Sequence, residues 1–147
     1  MCVDDATRLA YVEVLADERG ATTAGFLQRA SLWFARYGIT IRQVMTDNGG
    51  GYVSAFFRFA LKQLRARHIR TRPYRPRTNG KAERFIQTML REWAYVVPYS
   101  HSAQRTAVLA HWLCYYNHER PHGGLKAQAP MDKLKAIQVN NLVRLDI

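Results

Sequence analysis

Cysteine and long apolar runs are scarce in this 147-residue sequence, and each scarcity excludes a class of protein. The two cysteines, Cys2 and Cys114, are too few and too far apart for a disulfide framework or a zinc site, so we expect both to be reduced and structural. No stretch approaches the ~20 apolar residues of a transmembrane helix or the pattern of a secretory signal. The sequence therefore predicts a soluble, intracellular protein.

Acidic residues are also scarce, at 11 against 22 lysines and arginines, which gives a formal net charge of +11. Such an excess indicates a polyanionic partner, either nucleic acid or an anionic membrane surface. Half of the basic residues lie between Arg58 and Arg91, where Glu83 is the only acid. Composition leaves two alternatives for Glu83 even: a chemical task, or an ion pair with Arg84 or Arg91. Because solvated faces usually mix both signs of charge, the basic run favours DNA contact, and no membrane partner is expected.

The apolar pattern predicts an α/β layer with a mixed sheet. Its predicted segments are a strand over 9–15 that follows a turn at 4–8, a helix over 22–37 capped by Thr22 or Thr23 and ended by Gly38, a strand over 39–46, a helix beginning at Ser54, a strand over 68–71, a helix capped by Asn79 and closed by Pro98, and a helix over 103–116. The pairs Phe56–Phe57 and Trp93–Trp112 are expected in the core. Beyond Asn117 the chain is turn-rich and then short-periodic.

Two carboxylates carry the strongest chemical signal. Asp47 ends an apolar, β-branched run, and Glu83 lies 36 positions later in the first turn of a predicted helix. Phosphodiester chemistry with two metal ions needs carboxylates from different elements, with the ions ~3.5–4 Å apart. Hard oxygen ligands favour Mg²⁺ or Mn²⁺. We therefore predict that Asp47 and Glu83 are catalytic and bind a divalent metal.

The segment before Glu83 is suited to binding a nucleic-acid backbone. Pro73 and Pro76 enforce an extended loop, and Asn79-Gly80 permits a phosphate to approach a helix N-terminus closely. Tyr74 can stack on a base. The predicted phosphate contacts are Arg72, Arg75, Arg77, Lys81 and Arg84.

Three ordered motifs, at 46–49 (Thr-Asp-Asn-Gly), 72–85 and 116–122, resemble the catalytic core of bacterial insertion-sequence transposases and retroviral integrases. The 35 residues between Asp47 and Glu83 match the DDE pattern of that superfamily. The resemblance implies a ribonuclease H-like fold and metal-dependent cleavage and joining of DNA. It also implies that Asp47 is the second acid of the triad, that Glu83 is the third, and that Arg120 in the last motif either contacts DNA or is structural.

The first acid of the family lies on a strand upstream of the motif at 4–8, where this sequence begins. We therefore expect a truncated core over 1–125, without the first strand and most of the second, followed by a C-terminal tail over 126–147. We also expect weak or no catalysis. The implied partners are transposon-end and target DNA, bound by a homo-oligomer in the bacterial cytoplasm, on the nucleoid.

Alternative functions stay open. A non-catalytic DNA-binding remnant or regulator would retain the basic groove, and a related structure-specific nuclease would cleave DNA without joining it. The segment His118-Glu119-Arg120-Pro121-His122 also fits the zinc-protease pattern H-E-x-x-H. That pattern works only on a continuous helix, which Pro121 interrupts, so a zinc site is not expected.

Overall fold

The computed structural model describes residues 1–71 and 80–143. The chain forms two compact units, one made of Met1–Val12 with Lys81–Ile147 and the other of Glu13–Gly80. We call them the first and second units. No helix in the described ranges has both the length and the apolar content needed to cross a membrane.

The second unit pairs two helices with a two-stranded parallel sheet. Its elements are α1 (Gly20–Ala35), β3 (Gln43–Thr46), α2 (Ala55–Gln63) and β4 (Arg67–Arg70). The register of the sheet runs from Gln43 opposite Arg67 to Thr46 opposite Arg70. Helices α1 and α2 pack together around a buried apolar cluster made of Ala24, Leu27, Phe57, Ala60 and Leu61.

Local capping signals set the helix ends of this unit. The Phe57 amide donates to the Ser54 hydroxyl at 3.1 Å, which confirms the predicted start of α2. Gly38 has φ 72°, a conformation that favours glycine, and it follows the end of α1 as predicted. The predicted cap at Thr22 or Thr23 is wrong, because α1 begins at Gly20 and the Thr23 hydroxyl donates to the Arg19 and Gly20 carbonyls.

The first unit combines a short antiparallel hairpin with a helical layer. Its elements are β1 (Cys2–Val3), β2 (Ala10–Tyr11), α3 (Gly80–Met89, whose first residue ends the second unit), a π turn (Leu90–Ala94), α4 (Ser102–Ala107), α5 (Leu109–His118), a 3₁₀ turn (Gly123–Leu125) and α6 (Pro130–Val143). Its core is mainly aromatic. The rings of Phe85 and Tyr116 meet edge to face with centroids 4.9 Å apart, and Trp93 and Trp112 are buried beside them.

The predicted α/β class is confirmed, whereas several predicted segments and core positions are wrong. The strand over 9–15 is reduced to Ala10–Tyr11, and the strand over 39–46 to Gln43–Thr46. The helix over 103–116 is two helices with a break at Val108. Phe56 is 63% exposed, because the buried face of α2 is formed by Phe57, Ala60 and Leu61.

Candidate catalytic and nucleic-acid-binding residues

Asp47 lies directly after β3, at the carboxyl end of the parallel strand pair. Its side chain is exposed, and its Oδ1 accepts a hydrogen bond from the Gly49 amide at 2.9 Å. The Thr46 hydroxyl donates to the Asp47 carbonyl at 2.8 Å. Side chain and backbone of Asp47 are therefore each held by a neighbour, and the carboxylate is presented to solvent at the strand end.

The loop that follows Asp47 is fastened to neighbouring elements of the second unit. The Asn48 side-chain amide donates to the Thr71 carbonyl at 3.0 Å, just beyond β4. The Gly51 carbonyl accepts from the hydroxyls of Ser54, at 2.7 Å, and Thr23, at 3.2 Å. The Asn48 side chain therefore ties the turn after β3 to the residue that follows β4.

His68 contacts the strand end from β4. Its Nε2 lies 2.9 Å from the Thr46 hydroxyl oxygen, and its ring packs against Phe57 with centroids 5.5 Å apart. Burial, and secondarily the positive charge of Arg70, lower the pKa of His68. The sequence treated His68 only as the start of a strand, because a histidine in a short strand carries no motif.

Glu83 lies in the first turn of α3, as predicted, and its side chain is exposed. A carboxylate at this position is favoured by the partial positive charge of the helix N-terminus. Within 1–71 and 80–143 no ion pair joins Glu83 to Arg84 or Arg91, so the alternative that Glu83 serves as a partner of either arginine receives no support.

The predicted DNA contacts divide into three groups. Arg72, Tyr74, Arg75, Arg77 and Asn79 lie outside the described residues.

The second group is on α3. Arg84 is exposed, and Lys81 donates to the carboxylate and carbonyl of Asp5. The Lys81 side chain is about half exposed and the Asp5 side chain is mostly exposed. Water therefore screens their ion pair, and Lys81 remains able to exchange partners.

Arg120 alone forms the third group, and its side chain is hydrogen-bonded within the first unit. Its Nε and Nη2 donate to the Glu92 carboxylate at 2.6–3.0 Å, and its guanidinium carbon lies 6.0 Å from the centroid of the Tyr116 ring. The hydrogen bonds to Glu92 raise the pKa of Arg120. The charge of Arg120 is thus largely compensated by Glu92.

The two acids of the N-terminal turn, Asp4 and Asp5, also have hydrogen-bond or ion-pair partners. Asp4 accepts hydrogen bonds from the Thr7 amide at 2.8 Å and from the Thr7 hydroxyl at 2.6 Å. These bonds close the hairpin turn that joins β1 to β2. Asp5 pairs with Lys81 as described above, so both carboxylates have structural partners.

The helix does not continue through the H-E-x-x-H segment, and this interruption is what the sequence predicted. Helix α5 ends at His118, and Glu119 has left helical geometry with φ −127°. In the described part of the chain no group of three or more His, Cys, Asp or Glu side chains is arranged to hold a metal ion. The exposed carboxylates of Asp47 and Glu83 are nevertheless the hard oxygen donors that Mg²⁺ and Mn²⁺ prefer.

Asn117 is a structural residue that the sequence did not reveal. Its side chain is 3% exposed, and it bonds both the amide and the carbonyl of Ala10. The one sequence signal for this role was the position of Asn117 inside a helix, directly after the buried Tyr116.

The sequence is similar to those of known proteins. Residues 64–130 match the family model described as "Integrase core domain". A putative transposase InsD for insertion element IS2E of Escherichia coli K12 is 29% identical over 98 residues, which cover 67% of this chain and 45% of the relative. The chain spans about half the length, or less, of the curated relatives it matches.

Solved structures show the same fold. The catalytic core domain of BIV integrase superposes with a TM-score of 0.70 at 18% identity, over 95% of this chain and 86% of that chain. A chain of the simian T-cell lymphotropic virus intasome, solved in complex with the PP2A regulatory subunit B56 gamma, gives 0.70 at 23% identity, over 90% and 46%. Family model, sequence relatives and fold together support the resemblance to a DDE transposase/integrase core that the three motifs indicated.

Proposed function

We propose that this protein acts in DNA transposition or integration and that it cuts and joins DNA by metal-dependent phosphodiester chemistry. The observation that carries the proposal is the pair of exposed carboxylates in an integrase core: Asp47 at the end of β3 and Glu83 in the first turn of α3. Their separation in sequence is that of the second and third acids of the DDE pattern.

Asp47 and Glu83 are the proposed metal ligands, with Mg²⁺ or Mn²⁺ as the ion. Proteins of the DDE class generally use divalent metals. When bound, such ions activate the attacking water or 3′-hydroxyl and stabilise the leaving oxygen. The protein's own contribution is to hold the Asp47 carboxylate through the Gly49 amide and to fix the Asp47 backbone through Thr46.

The basic side chains supply the phosphate contacts in this proposal. Arg84 and Lys81 lie beside Glu83 on α3, and Arg72, Arg75 and Arg77 precede it, with Tyr74 as a stacking platform and Asn79 at the helix start. Apart from Gly80 itself, its chain neighbours and the backbone of its own helix, no described atom lies within 4 Å of the place that a Cβ on Gly80 would occupy. That open space supports a close approach of a DNA phosphate at this point.

The proposed partners are transposon-end DNA and target DNA, bound by at least two copies of the chain, since paired ends must be held together for joining. Acting on DNA, the protein would work in the bacterial cytoplasm, on the nucleoid. The core over 1–125 would carry this function, with 126–147 as its tail.

A non-catalytic DNA-binding remnant or regulator is the second candidate. The observation that favours it is the engagement of the N-terminal acids: Asp4 closes the hairpin turn and Asp5 pairs with Lys81. Asp47 and Glu83 then act without a third carboxylate from that turn. Two carboxylates hold a pair of metal ions more weakly than three. Under this second candidate function we therefore expect slow or absent catalysis.

A strand-transfer assay with Mg²⁺ or Mn²⁺ separates the two candidates. We expect Asp47→Asn and Glu83→Gln to abolish metal-dependent joining while DNA affinity, measured without metal, stays within about twofold. Glu119→Gln is the matched control, because Glu119 is an exposed carboxylate outside the proposed site. Joining by Glu83→Gln at the parent rate would overturn the catalytic proposal, and DNA binding without any joining by the parent chain would favour the remnant.

A further inference from the structure

His68 belongs to none of the motifs that define the family, yet its side chain contacts the strand end that carries Asp47. Its Nε2 lies 2.9 Å from the Thr46 Oγ1. The same Thr46 hydroxyl donates to the Asp47 carbonyl at 2.8 Å. The three residues therefore form a continuous hydrogen-bonded path from β4 to the backbone of Asp47.

Counting protons fixes the direction of this path. A threonine hydroxyl has one hydrogen and accepts through its lone pairs. Because the Thr46 hydrogen is directed to the Asp47 carbonyl, the hydrogen between Thr46 and His68 must be carried by His68 Nε2. Burial and the charge of Arg70 lower the pKa of His68, which favours the neutral ring.

Packing fixes the His68 ring in place. The ring meets Phe57 with centroids 5.5 Å apart, and Phe57 is buried in the cluster between α1 and α2. In the parallel pairing His68 lies opposite Val44, two residues before Thr46, so it reaches Thr46 diagonally across the strands. Thr46 is itself buried. The orientation of the Asp47 backbone is thus connected to the apolar core of the second unit.

The orientation of the Asp47 carbonyl matters because it sets the peptide plane that leads into Asn48 and Gly49. The Gly49 amide is the donor that holds the Asp47 carboxylate at 2.9 Å. Rotation of the plane would displace that amide and release the carboxylate. A hydrogen bond to the Asp47 carbonyl therefore controls the direction in which the carboxylate leaves the strand.

We propose that His68 is a positioning residue for Asp47, acting through the Thr46 hydroxyl. This inference rests on the proposed catalytic role of Asp47. His68 itself contacts neither metal nor DNA in this scheme. It holds Thr46, Thr46 holds the Asp47 carbonyl, and the resulting turn presents the carboxylate.

Four variants test the path. His68→Phe keeps a ring against Phe57 and removes the donor, whereas His68→Gln places an amide N–H near the position of Nε2. Thr46→Val removes the hydroxyl with little change of shape, and Thr46→Ser retains it. Each is assayed for Mn²⁺ affinity by calorimetry, for strand-transfer rate at saturating DNA, and for DNA affinity without metal.

We expect His68→Phe and Thr46→Val each to lower Mn²⁺ affinity or rate by roughly 10- to 100-fold, as is common when a group that orients a metal ligand is lost. His68→Gln and Thr46→Ser should recover most of the loss, and DNA affinity should not change. The double variant His68→Phe/Thr46→Val should be no worse than either single one, since both interrupt the same path. Equal defects in His68→Gln and His68→Phe, or parent behaviour in His68→Phe, would refute the proposal.

Nuclear magnetic resonance separates this inference from the proposed function. The ring ¹⁵N shifts of His68 report whether Nε2 carries the proton, and the Gly49 amide resonance reports the turn that holds the carboxylate. A shifted Gly49 amide in His68→Phe, together with full activity in Asp47→Asn, would support the positioning path and reject the catalytic role of Asp47. An unmoved Gly49 amide, or a bare Nε2, would reject the path whatever the activity of the Asp47 variant.

Discussion

The side-chain amide of Asn117 bonds the backbone of Ala10 twice. The Ala10 amide donates to Asn117 Oδ1 at 2.9 Å, and Asn117 Nδ2 donates to the Ala10 carbonyl at 2.9 Å. Ala10 is fully buried in β2, and Asn117 lies in the last turn of α5. The amide thus pairs with β2 as a neighbouring strand would, and it joins residues that are 107 positions apart.

Asn117→Ala should destabilise the protein, because it leaves the buried amide and carbonyl of Ala10 without these partners. A buried polar group left unsatisfied costs about 1–3 kcal/mol. We expect a loss of that order in the free energy of unfolding, measured by urea denaturation followed by circular dichroism. His118→Ala, at the exposed next position of α5, is the control and should change the free energy little. A loss below ~0.5 kcal/mol in Asn117→Ala would contradict this account.

Gly51→Ala should also be destabilising, whereas Gly50→Ala should be tolerated. A Cβ on Gly51 would lie 2.6 Å from the Glu18 carbonyl oxygen and 2.7 Å from the Thr23 Cγ2, and the carbonyl belongs to the backbone and cannot turn away. A Cβ on Gly50 would meet no described atom within 4 Å. We expect Gly51→Ala to cost about 1–3 kcal/mol, as overpacking does, and to lower the melting temperature by several degrees.

The paired variants also test whether the loop after Asp47 packs as described. Replacing glycine by alanine at a compatible position stabilises by about 0.4–1 kcal/mol through the unfolded chain. Gly50→Ala should therefore be neutral or slightly stabilising. Equal melting temperatures of the two variants would show that the approach of Gly51 to Glu18 and Thr23 is not tight.

The features that the sequence predicted correctly are those set by near neighbours. Ser54 caps α2 through the amide three residues later, Gly38 follows α1 with a positive φ, and Glu83 lies in the first turn of α3. Asp47 follows the end of β3 because the apolar run ends there. Each depends on spacings of four residues or fewer, which a single sequence displays directly.

The features that were missed depend on distant contacts or on competing local signals. The contacts of Asn117 with Ala10 and of His68 with Thr46 join residues 107 and 22 positions apart, and no periodic pattern encodes them. Helical spacing could not decide that α2 buries Phe57 and exposes Phe56. Helix α6 was missed although Pro130, its first residue, is a common signal at the start of a helix.

The predicted phosphate contacts should govern the salt dependence of DNA binding. Each phosphate contact contributes about −0.9 to the slope of log K against log salt concentration on B-form DNA. We expect Arg75→Ala/Arg77→Ala to weaken binding and to make the slope shallower by about 1.8, and Arg84→Ala by about 0.9. Fluorescence anisotropy on duplex DNA over a range of KCl concentrations measures this slope.

A charge-matched control distinguishes local contacts from the loss of net charge. Arg19→Ala/Arg36→Ala also removes two positive charges, from exposed positions at the two ends of α1. Its slope should stay near that of the parent chain. If both double variants change the slope equally, the basic residues act as a diffuse charge and the assignment of the phosphate contacts is wrong.

The stability of the protein should fall as the pH is lowered below about 6.5, partly because of His122. The pKa of His122 is lowered from its usual value of 6.5, first by burial and next by the charge of Arg120; the hydrogen bond with the Tyr116 backbone and the charge of Glu92 oppose this shift, whereas Arg8 adds to it. Its Nε2 is buried and has no hydrogen-bond partner in the described part of the chain. Protonation of the folded protein would therefore place a second positive charge in a buried position.

The sign of the effect follows from proton counting. Above the unfolded pKa both states are neutral at His122 and stability is unaffected, whereas below it the unfolded chain binds a proton that the folded chain does not, so the free energy of unfolding decreases. His122→Asn, whose Nδ2 can replace the ring donor to Tyr116, should flatten the decrease between pH 7 and pH 5 in urea denaturation. Some slope should persist because the pKa of His68 is lowered as well. His118→Asn, at an exposed position, should keep the parent slope, and an identical slope in His122→Asn would show that His122 is protonated as readily in the folded protein as in the unfolded chain.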